Sequence, residues 1–338
     1  MTMRKLASIR TVNEVKPIAG ADRIELAVVG GWQCVVKKGE FRAGELGVYF
    51  EIDSFLPVRP EFEFLRASSY KKLINDEEGF RLRTVRMRGQ LSQGLMMPLS
   101  SVLDEKHFEE GEDVTELLSV KKWEPGVQVM MQGDMKGPFP SFILRTDEER
   151  VQNLRGHTML PGLYTVTEKL DGTSATFFLY RGEFGVCSRN WELKDGGNVF
   201  WNMARKYDIE AKLRAGFFDV AVQAEIVGPR IQGNSYKLKE PDMAVFSVQR
   251  LSDDAPVFFP TISQAAFCEQ HGFPHVPMLD CYTVQSADDV AAILALADGQ
   301  SAVGDMPREG LVFRRPIGEA PGKFGFKAIS NAWLLNEK

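Results

Sequence analysis

The stretch "TEKLDGTSATFFLY" (residues 167–180) opens with a lysine and an aspartate two positions apart and continues as a strand-like run. From Thr173 onward the run is rich in β-branched and aromatic residues, which strands favour. In an extended chain Lys169 and Asp171 would project from the same face of a sheet. A cation and an anion side by side at the edge of a core contribute little to packing, so the pair indicates a chemical role.

Charged residues recur beside other hydrophobic strands in the second half of the chain. They are Arg189 in "CSRN", Glu225 in "QAEIVG", Glu309 in "REGLVF" and Lys327 in "GFKAIS". Folding alone would favour apolar side chains at such positions. Together with Lys169 and Asp171, they predict a cleft lined by cations and carboxylates that would hold a polyphosphate with its metal.

Composition is that of an ordinary soluble globular protein. The 338 residues are enough for two domains, with 44% hydrophobic and 26% charged residues. No apolar run approaches the ~18 residues of a membrane span, and the amino terminus lacks the apolar centre of a signal peptide. The four cysteines form no CxxC pair. We therefore expect a cytoplasmic monomer with no membrane partner.

One histidine pair has the spacing of a metal site. His271 and His275 are four positions apart in "CEQHGFPH", which would suit a zinc site on a helix. Gly272 and Pro274 lie between them and would break that helix. The sequence therefore predicts no metal there.

The first ~120 residues contain short strand patterns and little helix. The segment "RIELAVVGGWQCVVKKG" predicts two strands around Gly30, and "ELGVYFEI", "FRLRTVRM" and "QGLMMPL" predict three more. Five or so short strands in this length favour a small closed β-barrel, with an OB-fold as the leading candidate.

A local cationic stretch lies within this first region. The net charge of −5 argues mildly against a protein that coats itself with nucleic acid. The segment "GFRLRTVRMRGQ" nevertheless carries four arginines: Arg81, Arg83, Arg86 and Arg88. They predict an RNA-binding surface, and the alternative is a solvated edge strand protected by charge.

The rest of the chain predicts a mixed domain. Residues 122–142 are dense in glycine and proline and predict a connecting arm. Beyond it, Thr146 is a possible helix N-cap, "NVFWNMARKYDIEAKLRA" predicts a helix, and strands alternate with further helices in no regular order. This order favours an α+β domain built on antiparallel sheet. We therefore expect an OB-fold module over residues 1–121 and a second domain over 122–338.

Several of these segments also carry a resemblance to a known family. "EKLDG" resembles the KxDG motif of the covalent nucleotidyltransferases, which include ATP-dependent ligases and messenger RNA capping enzymes. "SRN", "QAEIVG", "DMAVFSV", "REGLVF" and "FKAIS" follow in the order of the remaining motifs. An OB module that precedes the catalytic domain resembles the RNA ligases of the Naegleria and Deinococcus type. The resemblance covers nearly the whole chain and implies an ATP-grasp-like ligase catalytic domain after the barrel.

The resemblance implies catalytic and metal-binding roles for four residues. Lys169 would attack the α-phosphorus of ATP and form lysyl–AMP, and Lys327 would neutralise the α-phosphate in the transition state. Asp171 and Glu309 would hold a hydrated Mg²⁺ or Mn²⁺ ion. Because lysine is nucleophilic only when neutral, we expect neighbouring cations and partial burial to lower the pKa of Lys169.

Further residues are implied to bind the nucleotide. Glu225 and Arg189 would contact the ribose, Phe246 would stack on adenine, and Glu168 would lie over the base edge, largely through its backbone. The junction residues Arg145, Arg150 and Gln152 would reach the phosphates. Two details depart from the family pattern. Ser247 and Val248 follow Phe246 where an aspartate is common, and the last motif has one lysine, with Lys323 as an open replacement for the second.

The resemblance implies an ATP-dependent RNA ligase that joins 3′-hydroxyl and 5′-phosphate ends, with nicked duplex RNA and RNA repair as the expected substrate and role. The main alternative is a GTP-using, capping-type guanylyltransferase. The order of the domains counts against it. The other alternative is an RNA-binding protein whose second domain has lost activity. The intact set Lys169, Asp171, Glu225, Glu309 and Lys327 counts against that alternative, since binding alone needs no such set.

Overall fold

The structure is a computed structural model that describes residues 4–73, 76–103, 107–123, 133–154, 161–286, 289–315 and 325–336. The chain divides into two compact units. One comprises Met1–Gln128 with Leu334–Lys338, and the other comprises Val129–Trp333. None of the described helices combines the length and apolar character needed to cross a membrane.

The first unit is built almost entirely of short antiparallel strands. Its elements are β1 (Ala7–Thr11), β2 (Glu14–Pro17), β3 (Ile24–Val29), β4 (Trp32–Lys37), β5 (Leu46–Phe50), β6 (Ser54–Pro57), α1 (Arg66–Ser69), β7 (Tyr70–Lys72), β8 (Glu78–Arg81), β9 (Val85–Met87), β10 (Gln90–Ser92), β11 (Leu95–Pro98), α2 (Leu99–Val102) and β12 (Lys121–Lys122). They form sheets β1-β5-β11, β2-β3-β4, β9-β10 and β12-β6-β8-β7.

Most of the strands predicted in this unit are confirmed. β3 and β4 flank Gly30, whose φ of +60° makes the turn between them. The predicted single strand over "FRLRTVRM" is instead two strands, β8 and β9, in different sheets. The predicted closed barrel is wrong for the residues described, where the ladders form four separate sheets. Left-handed residues such as Asp53, between β5 and β6, end the strands early.

The second unit contains two larger sheets. Its elements are β13 (Met135–Pro138), β14 (Glu149–Arg150), β15 (Gly162–Lys169), β16 (Thr173–Tyr180), β17 (Glu183–Cys187), β18 (Trp191–Leu193), α3 (Val199–Lys206), α4 (Ile209–Arg214), β19 (Val220–Val227), β20 (Asp242–Arg250), β21 (Val257–Phe258), α5 (Thr261–His271), β22 (Tyr282–Val284), α6 (Val290–Ala297), β23 (Gly310–Arg314), β24 (Gly325–Ile329) and α7 (Asn331–Asn336), which ends in the first unit.

The two sheets have distinct cores. The seven-stranded sheet has the order β13-β18-β17-β16-β19-β20-β21, and α3, α4 and α5 contribute residues to the core on one of its faces. The five-stranded sheet has the order β14-β24-β23-β15-β22, and α6 contributes to its core. Among the described strands of these two sheets, every ladder is antiparallel except β14 with β24. The predicted α+β architecture is confirmed.

Two helix predictions differ from the structure. The helix predicted from Thr146 is absent, because Glu149–Arg150 pairs with β24 and only a short 3₁₀ turn, Val151–Asn153, follows. The helix predicted over "NVFWNMARKYDIEAKLRA" is divided into α3 and α4 by Asp208, whose φ is +50°. The predicted arm over 122–142 contains β13, and its residues 124–132 lie outside the described part of the chain.

Candidate active site

Lys169 lies at the point where the chain passes from one sheet of the second unit to the other. It is the last residue of β15 in the five-stranded sheet, and β16 of the seven-stranded sheet begins at Thr173. Asp171 is in the connection, so the predicted shared strand face is wrong. Residues 169–172 form the connection between the two sheets. This connection brings residues from both sheets near Lys169.

A close backbone approach explains the glycine of this connection. A Cβ atom on Gly172 would lie 2.2 Å from the carbonyl oxygen of Ile226 on β19. Any larger residue would push the crossover away from β19. The same strand carries Glu225, so Gly172 keeps Lys169 and Glu225 near one another.

Lys169 forms an ion pair with Glu309. Its Nζ donates to Glu309 Oε1 at 2.7 Å and to Oε2 at 2.8 Å. Burial alone would lower the pKa of Lys169, but the carboxylates of Glu309, Glu225 and Asp171 outweigh it and raise that pKa above its ordinary value. The expected lowering is therefore wrong for the ligand-free protein, because the tertiary fold surrounds Lys169 with carboxylates.

Asp171 is held by the loop that follows β19. Its backbone N–H donates to Tyr236 Oη at 2.8 Å, and its Oδ2 accepts a hydrogen bond from Ser235 Oγ at 3.3 Å. Tyr236 is buried in a small apolar cluster that includes Leu170. These contacts fix the carboxylate of Asp171 beside the nucleophile, and neither Ser235 nor Tyr236 was identified from the sequence.

Lys327 and Arg189 share one counter-ion, Asp147. Lys327 Nζ donates to Asp147 Oδ1 at 3.0 Å, and Arg189 Nη2 donates to Oδ2 at 3.4 Å. Burial lowers the pKa of Lys327 to about 8, and Arg150 and Lys169 add to this effect while Asp147 opposes it. The cleft therefore contains a lysine with a lowered pKa, but this lysine is Lys327 and not Lys169.

The sequence carries no signal for the role of Asp147 either. It lies in the acidic run "TDEE", where one more carboxylate is unremarkable. Its partner Lys327 is 180 positions away, so no local pattern signals the contact.

Glu225 and Phe246 lie on neighbouring strands of the seven-stranded sheet. Burial raises the pKa of Glu225 to about 8, an effect that Lys169 opposes and Glu309 strengthens. Phe246 on β20 packs against the cluster of Leu170, Val227, Tyr236, Ala244 and Val276, and its carbonyl oxygen accepts a hydrogen bond from Arg314. Both residues are therefore close to the Lys169 crossover.

Glu168 is fixed through both its backbone and its side chain. Its backbone N–H donates to the carbonyl of Pro277 at 2.9 Å. The buried carboxylate accepts from Ser301 Oγ at 2.5 Å and from the N–H of Ala302 at 2.8 Å. The side chain thus anchors the segment that leads to Glu309.

Two buried glutamines, Gln223 and Gln249, form hydrogen bonds with the backbone of Leu144, just before Arg145. The carbonyl of Leu144 accepts from Gln249 Nε2 at 2.8 Å and from Gln223 Nε2 at 3.1 Å, and its N–H donates to Gln249 Oε1 at 3.0 Å. Arg145 follows directly and donates to the carbonyl of Arg189 at 2.7 Å. These hydrogen bonds therefore position the residues next to Asp147.

Arg150 and Gln152 are both buried. The side-chain amide of Gln152 has no hydrogen-bond partner among the described residues. Arg150 pairs in register with Lys327 across β14 and β24. Lys323 lies outside the described residues.

The carboxylates of the site suit a hydrated metal ion. Across the described ranges, no group of three or more His, Cys, Asp or Glu residues is arranged to hold a metal. A metal on Asp171 and Glu309 would therefore take its other ligands from water or nucleotide, as Mg²⁺ commonly does. To bind the metal, Glu309 would first have to release its ion pair with Lys169.

The four arginines predicted to bind RNA lie in the first unit and differ in exposure. Arg81 is buried on β8, with its guanidinium 5.1 Å from the ring centroid of Trp123. Arg86 and Arg88 are exposed on the β9–β10 hairpin, and Arg83 is half-buried just before it. The hairpin also exposes Val85 and Met87. The structure therefore does not place Arg81 with the exposed arginines.

Comparison with known proteins gives a consistent result for both units. A family profile described as an OB-fold domain matches residues 6–99, and one described as RNA ligase matches residues 162–329. A solved structure of Naegleria gruberi RNA ligase with pyrophosphate is 42% identical, with 99% of each chain covered and a TM-score of 0.90. No match was found among curated proteins.

Two further structures of the Naegleria gruberi RNA ligase are described with nucleotide and metal. A lysine-to-alanine mutant with ATP and Mn is 42% identical, covers 98% of this chain and 99% of its own, and has a TM-score of 0.89. A glutamate-to-alanine mutant with AMP and Mn is 41% identical, with the same coverage and a TM-score of 0.88.

Proposed function

The chain belongs to the RNA ligase family, and we propose on that premise that it uses ATP to join the 3′-hydroxyl and 5′-phosphate ends of RNA. The observation that carries the proposal is the placement of Lys169 at a sheet crossover, paired with Glu309 and within electrostatic reach of Glu225, Asp171 and Lys327. This is the set of groups that attack on a nucleoside triphosphate requires.

In the first step Lys169 Nζ attacks the α-phosphorus of ATP. A nitrogen–phosphorus bond forms, the bond to the β-phosphate oxygen breaks, and pyrophosphate leaves. Lys169 must lose its proton before the attack, and its raised pKa makes the ligand-free protein a resting state with Lys169 protonated. Asp171 and Glu309 would hold a divalent ion, whose positive charge would offset the carboxylates and favour the neutral amine of Lys169.

Other side chains bind and orient the nucleotide. Lys327 is protonated below about pH 8 and offsets the negative charge that builds on the α-phosphate. Phe246 offers a surface for the base, Glu168 offers its carbonyl, and Glu225 with Arg189 contacts the ribose. Arg145, Arg150 and Gln152 act on the phosphate side of the nucleotide.

The remaining steps require RNA. AMP passes from Lys169 to an RNA 5′-phosphate, and a 3′-hydroxyl then attacks that phosphorus and releases AMP. We assign the nucleotide chemistry to the domain of residues 122–338 and a share of RNA binding to the OB module of residues 1–121, with Arg83, Arg86 and Arg88 as its contacts. Nicked duplex RNA, a role in RNA repair, a monomeric state and a cytoplasmic location complete the proposal.

The test is incubation with ATP or GTP labelled at the α-phosphate, followed by a denaturing gel. We expect covalent label from ATP in the wild type and none in Lys169→Ala or Lys169→Arg, because arginine stays protonated. Label from GTP instead would favour a capping enzyme, and label from neither would favour a binding protein. Circular dichroism of the variants would confirm that they are folded.

A further inference from the structure

The loop between β19 and β20 combines positive charge, left-handed backbone and direct contact with the active site. We infer that this loop, residues 228–240, binds the phosphate backbone of RNA beside the end that is joined. We call it the basic loop. The inference rests on the proposed RNA ligase function and names a binding surface for its substrate.

The basic loop carries three exposed cations and one exposed carboxylate, Glu240. Arg230, Lys237 and Lys239 are all exposed, and none has a carboxylate partner among the residues that the structure describes. Some other exposed cations of this unit are paired, as in Arg205–Asp195 and Arg214–Glu210, both at 2.7 Å, whereas Lys194 donates to the carbonyl of Gly133. The excess of cations over carboxylates in one loop forms a surface suited to a polyanion.

The backbone of the basic loop is held in an unusual conformation. Four of the ten non-glycine residues with positive φ in the described chain lie here: Arg230, Gln232, Asn234 and Lys237. Such conformations cost energy and persist where the surroundings fix them. Asn234 does so here, since its side chain donates to the carbonyl of Leu238 at 2.9 Å and accepts from the Leu238 N–H at 3.0 Å. The loop is therefore built to present its side chains in one arrangement.

The basic loop is tied to the reaction centre by Ser235 and Tyr236. Both donate to or accept from Asp171, two residues from the nucleophile Lys169. Tyr236 also packs in the cluster that contains Leu170 and Phe246. An RNA phosphate on this loop would thus lie at the rim of the site that holds the adenylate.

The exposure of the three cations favours RNA over the phosphates of ATP. Of the cations assigned to the nucleotide, the two lysines beside the reacting phosphate are more enclosed, with Lys169 29% and Lys327 17% exposed, whereas Arg189 at the ribose is 52% exposed. A long polyanion that remains in solvent is bound by exposed lysine and arginine, and its binding weakens with salt. The loop cations have that character.

The test compares three steps on one preparation of the triple variant Arg230→Ala, Lys237→Ala, Lys239→Ala. Lysyl–AMP formation, joining of a nicked RNA duplex at subsaturating RNA, and retention of that duplex on filters over a salt series are measured. We expect adenylylation and its KM for ATP within about twofold of wild type, and joining reduced about tenfold or more. The slope of log affinity against log salt should fall by about 2, since each phosphate contact contributes roughly 0.7–0.9.

Two matched variants guard the interpretation. The first control is the triple variant Lys194→Ala, Arg205→Ala, Arg214→Ala. It removes the same charge from the region β18–α4, which supplies no site residue, and it should behave as wild type. The second variant is Arg230→Gly, Lys237→Gly, Lys239→Ala, which removes the charge of the basic loop with glycine at two positions of positive φ. If the loss of charge causes the joining defect, this variant should show the same defect as the alanine variant.

Unchanged joining and RNA retention in both loop variants would overturn the inference. A raised KM for ATP with weakened adenylylation would overturn it as well, by assigning the loop to nucleotide phosphates. If wild-type protein forms no lysyl–AMP, the proposed function fails instead, and filter retention of RNA still decides whether the loop binds it.

Discussion

Asp147 illustrates how one side chain can set the charge of a catalytic cleft. It accepts hydrogen bonds from Lys327 and Arg189, and it opposes the effect of burial on the pKa of Lys327. The residual pKa of about 8 places the titration of Lys327 in an accessible range. Because only protonated Lys327 offsets phosphate charge, adenylylation at saturating metal, where Lys169 is neutral, should decline as pH rises through 8.

Replacing Asp147→Asn should move this alkaline decline to lower pH. Loss of the carboxylate removes a group that raises the pKa of Lys327, so the protonated fraction falls earlier. We expect adenylylation at pH 8.5 to fall about three- to tenfold and to change little near pH 6.5. The measurement is the rate of lysyl–AMP formation against pH. Glu148→Gln is the control, since Glu148 pairs with Arg314 at 2.9 Å. An unmoved alkaline limb in Asp147→Asn would contradict this account.

Asp171→Ala and Glu309→Ala should both reduce adenylylation, by about 100-fold or more, because each removes a carboxylate proposed to hold the metal. The residual rate should need more Mg²⁺ or Mn²⁺ to reach half its maximum. Titration of the metal in each variant measures this. A variant that stays active with an unchanged metal requirement would remove its residue from the metal site, and Asp147→Asn should keep the wild-type requirement.

The crossover from β15 to β16 depends on the small size of Gly172. Its approach to the Ile226 carbonyl leaves no room for a methyl group. Gly172→Ala should lower the free energy of unfolding by about 1–3 kcal/mol and reduce adenylylation, because the crossover must shift from β19. Denaturant unfolding and labelled-ATP assays measure the two effects. Gly137→Ala on β13, where a methyl group meets nothing within 4 Å, should change neither.

The sequence correctly predicts those elements whose ends depend on residues nearby in the chain. Helix α5 ends at Gly272, which takes a φ of +64°, and the β3–β4 hairpin turns at Gly30. The helix expected from Thr146 failed because Arg150 pairs with Lys327, a contact that is distant in sequence. The site motifs were found because each charge stands beside its own strand. Asp147, Ser235 and Tyr236 were missed because their partners are 42 to 180 positions away.

The pKa values in the cleft were the least predictable feature. The sequence predicts cations around Lys169, and Lys169 does interact electrostatically with Lys327, whose pKa it helps to lower. Three carboxylates nevertheless dominate, so the pKa of Lys169 is raised while burial lowers that of Lys327. The balance between burial and neighbouring charge depends on tertiary geometry that no motif encodes.

The division of the chain into two units predicts that the two stages of the reaction can be separated. Every group assigned to lysyl–AMP formation lies in the unit Val129–Trp333. The exposed arginines of the β9–β10 hairpin lie in the other unit, beside exposed Val85 and Met87. To join RNA the enzyme must bind a polyanion, whereas adenylylation requires only nucleotide and metal.

Replacing Arg83, Arg86 and Arg88 with alanine should therefore leave lysyl–AMP formation within about twofold of wild type and weaken RNA joining about tenfold. Arg81 is left in place, because it is buried over Trp123 and its loss would disturb packing. The defect should deepen as salt is raised, since the remaining phosphate contacts are screened. Lys16→Ala, Lys38→Ala, Lys71→Ala removes equal charge from exposed positions of the same unit and serves as the control. Joining that survives in the arginine variant would mean that these arginines only protect an exposed hairpin and that the RNA contacts lie elsewhere.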